Sequence, residues 1–295
     1  MTRTAINMFG LQEWFGGDLV SVVELIRIAD KKGVYQVDIA EHMTMGEQTD
    51  RYPYGSYPVP METRWYEPIT MLSAFAAATE NIRLTTGILI SPLRPVGLLA
   101  KQLATLHFLS RGRVDIGFGV GWQEAEYEIC DIPFEGRFGR MMELARACRA
   151  LWTSAPTSFH GEHIKFDRKY SYPLLEDPGA IKFWFGLTDT PRNVDRIAEL
   201  GDGWIPMVND PEVLAASIGR FKAAFAARSR DPAKFETRVS PMPVFGSDGI
   251  GDFAATAAQV PALIKAGVTV ISFTPFYFCK GPDDFEAFVE RLVSL

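Results

Sequence analysis

A chain of 295 residues is long enough for two average domains or for one large α/β barrel. Its composition is 47% hydrophobic and 22% charged, which is typical of a folded globular protein and excludes long disordered segments. The 36 acidic and 30 basic side chains leave a net charge of -6, and the sequence has no basic cluster. We therefore expect no nucleic-acid partner.

The sequence also carries few signs of export or membrane insertion. Its N-terminus lacks the apolar core of a signal peptide, and no apolar run approaches the roughly 20 residues of a membrane span. The three cysteines, Cys130, Cys148 and Cys279, lie far apart, and an odd number cannot pair fully. Free thiols are typical of a reducing compartment, so we expect a cytoplasmic protein without a membrane partner.

Short apolar runs and amphipathic helical segments alternate along the whole chain. The apolar runs, which we predict as strands, begin near residues 4, 34, 82, 113, 181, 203, 238 and 268. The predicted helices span residues 18–33, 68–79, 95–109, 138–152, 192–200, 211–228, 253–266 and 283–295. Strict alternation indicates a parallel sheet with helices outside, and eight units are the number that closes a (β/α)8, or TIM, barrel. An open doubly wound sheet is the alternative.

No internal repeat or low-complexity linker divides the chain, so we predict a single domain over residues 1–295. Two insertions interrupt the alternation. Residues 43–65 have no periodicity and are rich in Tyr, Pro, Gly and Met. A loop this long after a barrel strand is typical of a lid or binding loop, with a plain surface excursion as the alternative. A second polar and aromatic insertion spans 123–137, and 159–166 is predicted as a small hairpin or an excursion.

Glycines stand at the carboxyl ends of two predicted strands. Thr86-Gly87 ends the third strand, and Gly117, Gly119 and Gly121 end the fourth. Their G-x-G-x-G spacing does not match the dinucleotide-binding fingerprint, which needs G-x-G-x-x-G and a later acidic residue. We interpret these glycines as a surface where a flat ligand lies against the backbone, with a tight turn as the alternative.

His42 is the only one of the four histidines predicted at the carboxyl end of a strand. An imidazole at that position can donate to a bound ring or substrate, or shuttle protons for it. A structural role is the alternative. The sequence offers no converging set of ligands for a metal ion.

Gly186-Leu187-Thr188 lies between a predicted strand end and a predicted helix start. Backbone N–H groups, a hydroxyl and the helix dipole at such a position can hold a phosphate group. An N-cap by Thr188 or Thr190 is the alternative interpretation.

Several stretches together resemble the luciferase-like family of flavin- and deazaflavin-dependent oxidoreductases, and within it the branch described as coenzyme F420 dependent. The matching stretches are residues 40–42 (AEH), 67–68, 84–92, 99–102, 104–106, 110–113 (SRGR), 117–122 (GFGVGW), 159–161 (FHG) and 201–204 (GDGW). They are spread over most of the chain.

The resemblance implies a bacterial-luciferase-like (β/α)8 barrel, with insertions after its second and fourth strands, that binds a flavin or deazaflavin at its carboxyl-terminal mouth. In the family a non-prolyl cis peptide supports the middle ring of the cofactor, and it would fall at Thr86-Gly87 or Gly87-Ile88. His42 and its neighbour Glu41 are the implied catalytic residues. The implied cofactor-binding residues are Thr86, Gly87, Ile88, Gly119, Gly121, Trp122, Gly186, Leu187 and Thr188.

Two positions depart from the family pattern. The phosphate loop usually has two consecutive glycines, and Leu187 replaces the second. The branch that oxidises sugar phosphates has an acidic catalytic residue where this chain has Trp122, so that activity is not expected.

We expect a luciferase-like oxidoreductase that transfers a hydride between coenzyme F420 and a small organic substrate, as a homodimer. Three alternatives stay open: a monooxygenase that uses reduced flavin mononucleotide (FMN) and oxygen, a flavin-binding protein without turnover, and a barrel enzyme without a redox cofactor.

Overall fold

The computed structural model describes residues 2–177 and 179–295. Its strands are, in chain order, β1 (Arg3–Asn7), β2 (Gln36–Ile39), β3 (Arg83–Thr86), β4 (Leu89–Ile90), β5 (Val114–Gly119), β6 (Thr157–His160), β7 (Lys165–Lys169), β8 (Lys182–Phe185), β9 (Gly203–Trp204), β10 (Glu236–Val239) and β11 (Val270–Phe273). Its helices are α1 (Leu19–Lys32), α2 (Pro68–Ala78), α3 (Val96–Leu109), α4 (Glu124–Ile129), α5 (Arg137–Thr153), α6 (Pro191–Leu200), α7 (Pro211–Ala227), α8 (Phe253–Ala257), α9 (Val260–Lys265) and α10 (Phe285–Val293).

Eight of the strands form a closed parallel barrel, which confirms the predicted TIM-barrel fold. The barrel order is β3-β2-β1-β11-β10-β9-β8-β5, and pairing between β3 and β5 closes it. The two-residue strand β4 continues the line of β3 and pairs with β5, while β6 and β7 form the predicted hairpin outside the barrel. Insertions follow the second and fourth barrel strands, as predicted.

The helix boundaries follow from local capping signals. Asp18 accepts hydrogen bonds from the N–H groups of Val20 and Ser21 at the start of α1, and Gly33 ends that helix at φ 90°. A left-handed residue of this kind is the usual place for glycine at a helix end. Glu67 caps α2 in the same way, with Pro68 in the first turn.

Two helical predictions need correction. Residues 124–129 form the short helix α4 inside the segment predicted as an irregular insertion. Six residues are too few for a hydrophobic period to show in the sequence. The predicted helix 253–266 is divided into α8 and α9. The division falls just before Pro261, whose ring cannot donate the N–H that a continuous helix needs.

The main hydrophobic core lies between the barrel and its helices, and the barrel interior holds a polar network. The Gln36 amide donates to Asp115 at 3.0 Å and accepts from the Arg238 guanidinium at 3.0 Å. These residues come from β2, β5 and β10, which are not neighbours in the barrel, so their side chains point inward. Burial raises the pKa of Asp38, which lies in the same interior 3.6 Å from Arg238.

Across the described ranges, no helix is both long and apolar enough to span a bilayer.

Candidate active site at the barrel mouth

His42 lies just beyond the carboxyl end of β2, at the mouth of the barrel. Its side chain is only 12% exposed and lines a cavity of about 230 Å³. The ring of Trp65 packs edge-on against the imidazole at 4.8 Å, and Tyr57 and Trp122 approach it at 6.0 and 6.1 Å. The imidazole is therefore held in an aromatic enclosure that opens to the cavity on one side.

Glu126 of α4 contacts the Nδ1 nitrogen of this imidazole. Its Oε1 lies 3.2 Å from His42 Nδ1 and accepts the Met43 N–H at 2.8 Å. The Glu126 side chain is fully buried. Sequence analysis missed this residue because it lies 84 positions from His42 on a helix that was not predicted. The run of acidic residues at 124, 126 and 128 was the only available signal.

Glu41, the other predicted catalytic residue, takes part in a buried ion pair. Its carboxylate accepts the Ile90 N–H at 2.6 Å and binds the guanidinium of Arg94, which also donates to Glu67 at 2.8 Å. The side chains of Glu41 and Arg94 are 2% and 6% exposed. This geometry ties the end of β2 to the segment after β4. A catalytic role for Glu41 stays a prediction.

The peptide bond between Gly87 and Ile88 is cis, at one of the two positions that the resemblance implies. The Ile88 side chain then fills the space beside two glycines. A Cβ atom at Gly119 would lie 2.3 Å from Ile88 Cδ1, and one at Gly186 would lie 2.5 Å from Ile88 Cγ2. Both distances are far shorter than any normal contact, so no larger residue fits there without movement.

This packing changes the interpretation of the glycine pattern. At Gly117 an added Cβ atom would meet the Thr86 carbonyl oxygen at 2.2 Å, and at Gly121 the backbone takes φ 62°. Close approach inside the barrel and a left-handed turn thus require these glycines before any ligand binds. Ligand contact with Gly119 and Gly121 remains a prediction.

Gly186, Leu187 and Thr188 line a separate cavity of about 310 Å³. The Leu187 carbonyl accepts the indole N–H of Trp204 at 2.7 Å, which fixes this part of the loop. Thr190, not Thr188, caps α6 by accepting the Asn193 N–H. Of the two N-cap alternatives, the one at Thr190 therefore holds. Thr188 lines the cavity, and its carbonyl and hydroxyl oxygens accept hydrogen bonds from the Asn193 side chain at 3.0 and 3.4 Å.

Asp189 is the only charged side chain along this cavity in the described chain. Partial burial opposes its ionisation, but hydrogen bonds from Ser217 and Arg220 hold the pKa of Asp189 below its usual range. The carboxylate is therefore ionised at neutral pH, and Arg220 offsets its charge.

The insertion at 43–65 lies over the mouth between the two cavities. The rings of Tyr52 and Tyr57 contact Trp122 at 5.2 and 5.4 Å, and Tyr54 lines the cavity beside residues 186–188. Burial raises the pKa of Tyr57 to about 12, so its phenol is neutral at physiological pH. The insertion is thus part of the walls of both cavities.

A third cavity, of about 510 Å³, adjoins the His42 cavity and shares Phe9, Pro58, Val59 and Tyr277 with it. Phe276, in the segment that follows β11, also lines it. Apolar and aromatic side chains make up most of its wall, with Glu13 and Glu62 as the charged members.

The fold and the site define a (β/α)8-barrel protein with an aromatic, histidine-bearing mouth. The family model for the luciferase-like monooxygenases matches residues 10–263, and the chain belongs to this family. An uncharacterized protein of Mycobacterium tuberculosis is 31% identical over 258 residues, which cover 86% of this chain and 82% of that protein. The FMNH2-dependent dimethylsulfone monooxygenase of Pseudomonas putida is 30% identical over 166 residues, or 55% of this chain and 45% of the enzyme.

Solved structures show the same fold at lower identity. The monooxygenase RslO1 from Streptomyces bottropensis superimposes with a TM-score of 0.79 at 21% identity, covering 99% of this chain and 97% of that one. An F420-dependent secondary alcohol dehydrogenase in complex with an F420-acetone adduct superimposes with a TM-score of 0.75 at 16% identity, covering 99% and 98%. The chain is therefore a luciferase-like oxidoreductase, and these neighbours include both monooxygenase and F420-dependent members.

Proposed function

We propose that this protein transfers a hydride between coenzyme F420 and a small organic substrate at the barrel mouth. The observation that carries the choice of cofactor is the charge of the cavity at residues 186–188. Its only charged lining residue among those described is Asp189, whose charge Arg220 offsets.

FMN ends in a phosphate monoester with close to two negative charges, and such a group calls for cationic partners. Coenzyme F420 has a phosphodiester with one negative charge at the corresponding place. This cavity offers backbone N–H groups and the Thr188 hydroxyl, and no cationic side chain lines it among the described residues, so it suits the singly charged group better. The F420-dependent dehydrogenase noted above, which aligns over almost the whole chain, lends support.

The residues present fit a flat ring with a polar tail. In this proposal the ring lies against Ile88, whose side chain packs beside Gly119 and Gly186 and which follows Thr86 and Gly87 in the chain. Gly121 and Trp122 would then lie at the edge of the ring. Gly186, Leu187 and Thr188 would hold the phosphate end. The cavity at His42 measures about 230 Å³ and the cavity at residues 186–188 about 310 Å³, and together they are within the usual range for small-molecule sites.

When bound, the deazaflavin supplies or accepts the hydride, and the chain supplies everything else. The Tyr-rich insertion excludes water from the mouth, which strengthens the electrostatic interactions inside. Nε2 of His42 makes no hydrogen bond within the described part of the chain. This ring nitrogen is therefore placed to accept a proton from the substrate and to hold it.

The third cavity favours an uncharged substrate with an apolar body. Its aromatic and proline wall supplies apolar contact. Of its two carboxylates, Glu13 pairs with Arg64 at 3.0 Å, so Glu62 is the one that disfavours an anion. It adjoins the His42 cavity, so a molecule bound there can reach the imidazole.

Titration of the purified protein with coenzyme F420 and, separately, with FMN tests the proposal through fluorescence quenching. We expect binding of F420 that is at least about tenfold tighter than that of FMN, a difference of about 1.4 kcal/mol. Tighter binding of FMN would favour the FMN-dependent monooxygenase, which the Pseudomonas putida relative supports. Binding of F420 without reduction or oxidation of any alcohol, aldehyde or imine tested would favour a flavin-binding protein without turnover.

We also propose a cytoplasmic homodimer that buries one face of α3. Leu98, Phe108 and Leu109 on this helix are 52%, 52% and 46% exposed, a large apolar exposure for one helix. Light scattering after size exclusion, on the native chain and on Phe108→Glu, measures the oligomeric state directly.

A further inference from the structure

The contact between Glu126 and His42 bears both on the position of the imidazole and on which of its two nitrogens carries the proton. A neutral imidazole has one nitrogen that donates and one that accepts, and the partner of one nitrogen decides the role of the other. Glu126 Oε1 already accepts the Met43 N–H at 2.8 Å, so this oxygen acts as an acceptor. An ionised carboxylate has no proton to donate, so the contact at 3.2 Å with ionised Glu126 places a proton on His42 Nδ1.

We propose that Glu126 is a positioning residue, which holds His42 in the Nδ1-protonated tautomer and thereby directs an unprotonated Nε2 into the cavity. The consequence for reactivity rests on the proposed function, whereas the tautomer itself does not. In this state His42 presents a lone pair to a bound molecule and accepts a proton from it. Without Glu126 the imidazole is free to place its proton on Nε2 and to present a donor instead.

The burial of Glu126 makes this constraint strict. Its side chain is completely buried, and Oε2 has no hydrogen-bond partner within the described ranges. A buried carboxylate with one unpartnered oxygen is costly, and it is retained only where surrounding structure enforces it. The aromatic rings around His42 leave Oε1 as the only polar atom in hydrogen-bond contact with the imidazole among the described residues.

The anchor at Met43 links the same carboxylate to the aromatic insertion. Met43 is the first residue of the 43–65 segment, so Glu126 fixes both the imidazole and the start of the loop that covers it. A purely structural Glu126 would hold only the backbone at Met43 and would have no influence on the tautomer. The two roles therefore separate in an experiment that reports on the imidazole nitrogens.

The tautomer can be read from long-range proton–nitrogen correlation spectra of protein labelled with ¹⁵N-histidine. The chain has four histidines, and the spectrum of His42→Gln assigns the His42 signals by their loss. We expect a protonated Nδ1 and an unprotonated Nε2 for His42 in the native protein without cofactor. A native His42 protonated on Nε2 would overturn the proposal, whatever the cofactor proves to be.

Two substitutions at Glu126 test whether the tautomer of His42 depends on an acceptor oxygen at this position. Glu126→Gln keeps an acceptor oxygen and should keep the Nδ1-protonated tautomer, whereas Glu126→Leu removes the acceptor and should shift His42 toward the Nε2-protonated form. Glu124→Gln on the same helix is the matched control, because Glu124 is 54% exposed and pairs with Arg51. An unchanged tautomer in a folded Glu126→Leu protein would assign Glu126 a structural role only. If Glu126→Leu fails to fold, the native spectrum still tests the proposal, because a proton on Nε2 there would overturn it.

Turnover supplies a second readout once a substrate is known. Glu126→Leu should lower kcat by about 10-fold to 1,000-fold with little change in KM, because a wrongly protonated imidazole still occupies its place. If the native protein does not bind F420, the proposed function is contradicted, but the result for the His42 tautomer still stands.

Discussion

The side chain of Ile88 occupies the space into which a side chain on Gly119 would have to extend. An added Cβ atom at Gly119 would lie 2.3 Å from Ile88 Cδ1. Gly119→Ala should therefore destabilise the protein by about 1 to 3 kcal/mol through overpacking. Chemical denaturation measures this change in the free energy of unfolding.

The matched control is Gly219→Ala in α7, where an added Cβ atom meets nothing within 4 Å. Alanine is the better helix former, so this substitution should stabilise the protein by about 0.5 to 1 kcal/mol. Equal effects at the two positions would contradict the account of the glycines given above.

His42→Ala should reduce kcat by about 100-fold to 10,000-fold and leave the fold and cofactor binding intact, because the side chain lies at the surface of a cavity and not within the core. Turnover and fluorescence titration measure the two effects separately. His160→Ala serves as the control, since His160 is 63% exposed and pairs with Asp167 on the outer hairpin. Unchanged turnover in His42→Ala would remove this residue from the reaction.

Arg94→Met should destabilise the protein by about 3 to 5 kcal/mol, because it leaves the Glu41 carboxylate buried without its cation. The double substitution Glu41→Gln with Arg94→Met should recover part of that loss, and thermal unfolding of both variants tests this. Arg146→Met, in an ion pair whose partners are both 40% exposed, should cost less than about 1 kcal/mol. Similar costs at the two pairs would show that burial of the Glu41 pair has no special effect.

Glu143 gives a pH-dependent prediction. Slight burial opposes ionisation, but the N–H groups of residues 162–164 hold the pKa of Glu143 below its usual range. A carboxylate with a lowered pKa contributes stability above its unfolded-state pKa of about 4.3, and that stability is lost as the pH falls through the folded-state value. The gap in melting temperature between the native protein and Glu143→Ala should therefore be largest near pH 7 and shrink below pH of about 4. A gap that is constant with pH would exclude this carboxylate as its source.

The third cavity, which adjoins the His42 cavity and is lined by Glu62, should prefer uncharged ligands. The probes 2-naphthamide and 2-naphthoate have nearly the same shape and differ in charge. They can be titrated by quenching of tryptophan fluorescence, since the ring of Trp14 lies 6.1 Å from the ring of Phe276, which lines the cavity. We expect the neutral probe to bind at least about tenfold tighter, and Glu62→Lys to reduce that preference. Glu24→Lys, on α1, changes the overall charge of the protein by the same amount and serves as the control. Equal affinity for both probes would argue against a neutral substrate.

The sequence by itself determined most of the secondary structure and the order of the barrel elements, although not the short helix α4 or the division between α8 and α9. Helices such as α1 and α7 follow from a local hydrophobic period and from a cap only one or two residues away, so neighbouring residues suffice to predict them. The eight-unit alternation likewise predicted the barrel, and a position just after the second strand singled out His42. These features depend on short stretches of chain or on their order.

The tertiary structure alone decided which side chains meet at the mouth. Glu126 reaches His42 across 84 positions, Arg94 reaches Glu41 across 53, and Ile88 fills the space beside Gly119. Each contact depends on barrel closure, which brings together strand ends that are distant along the chain, and on the inward or outward direction of each side chain. A local hydrophobic period or a helix cap does not predict these contacts, because they arise from packing between elements and not within them.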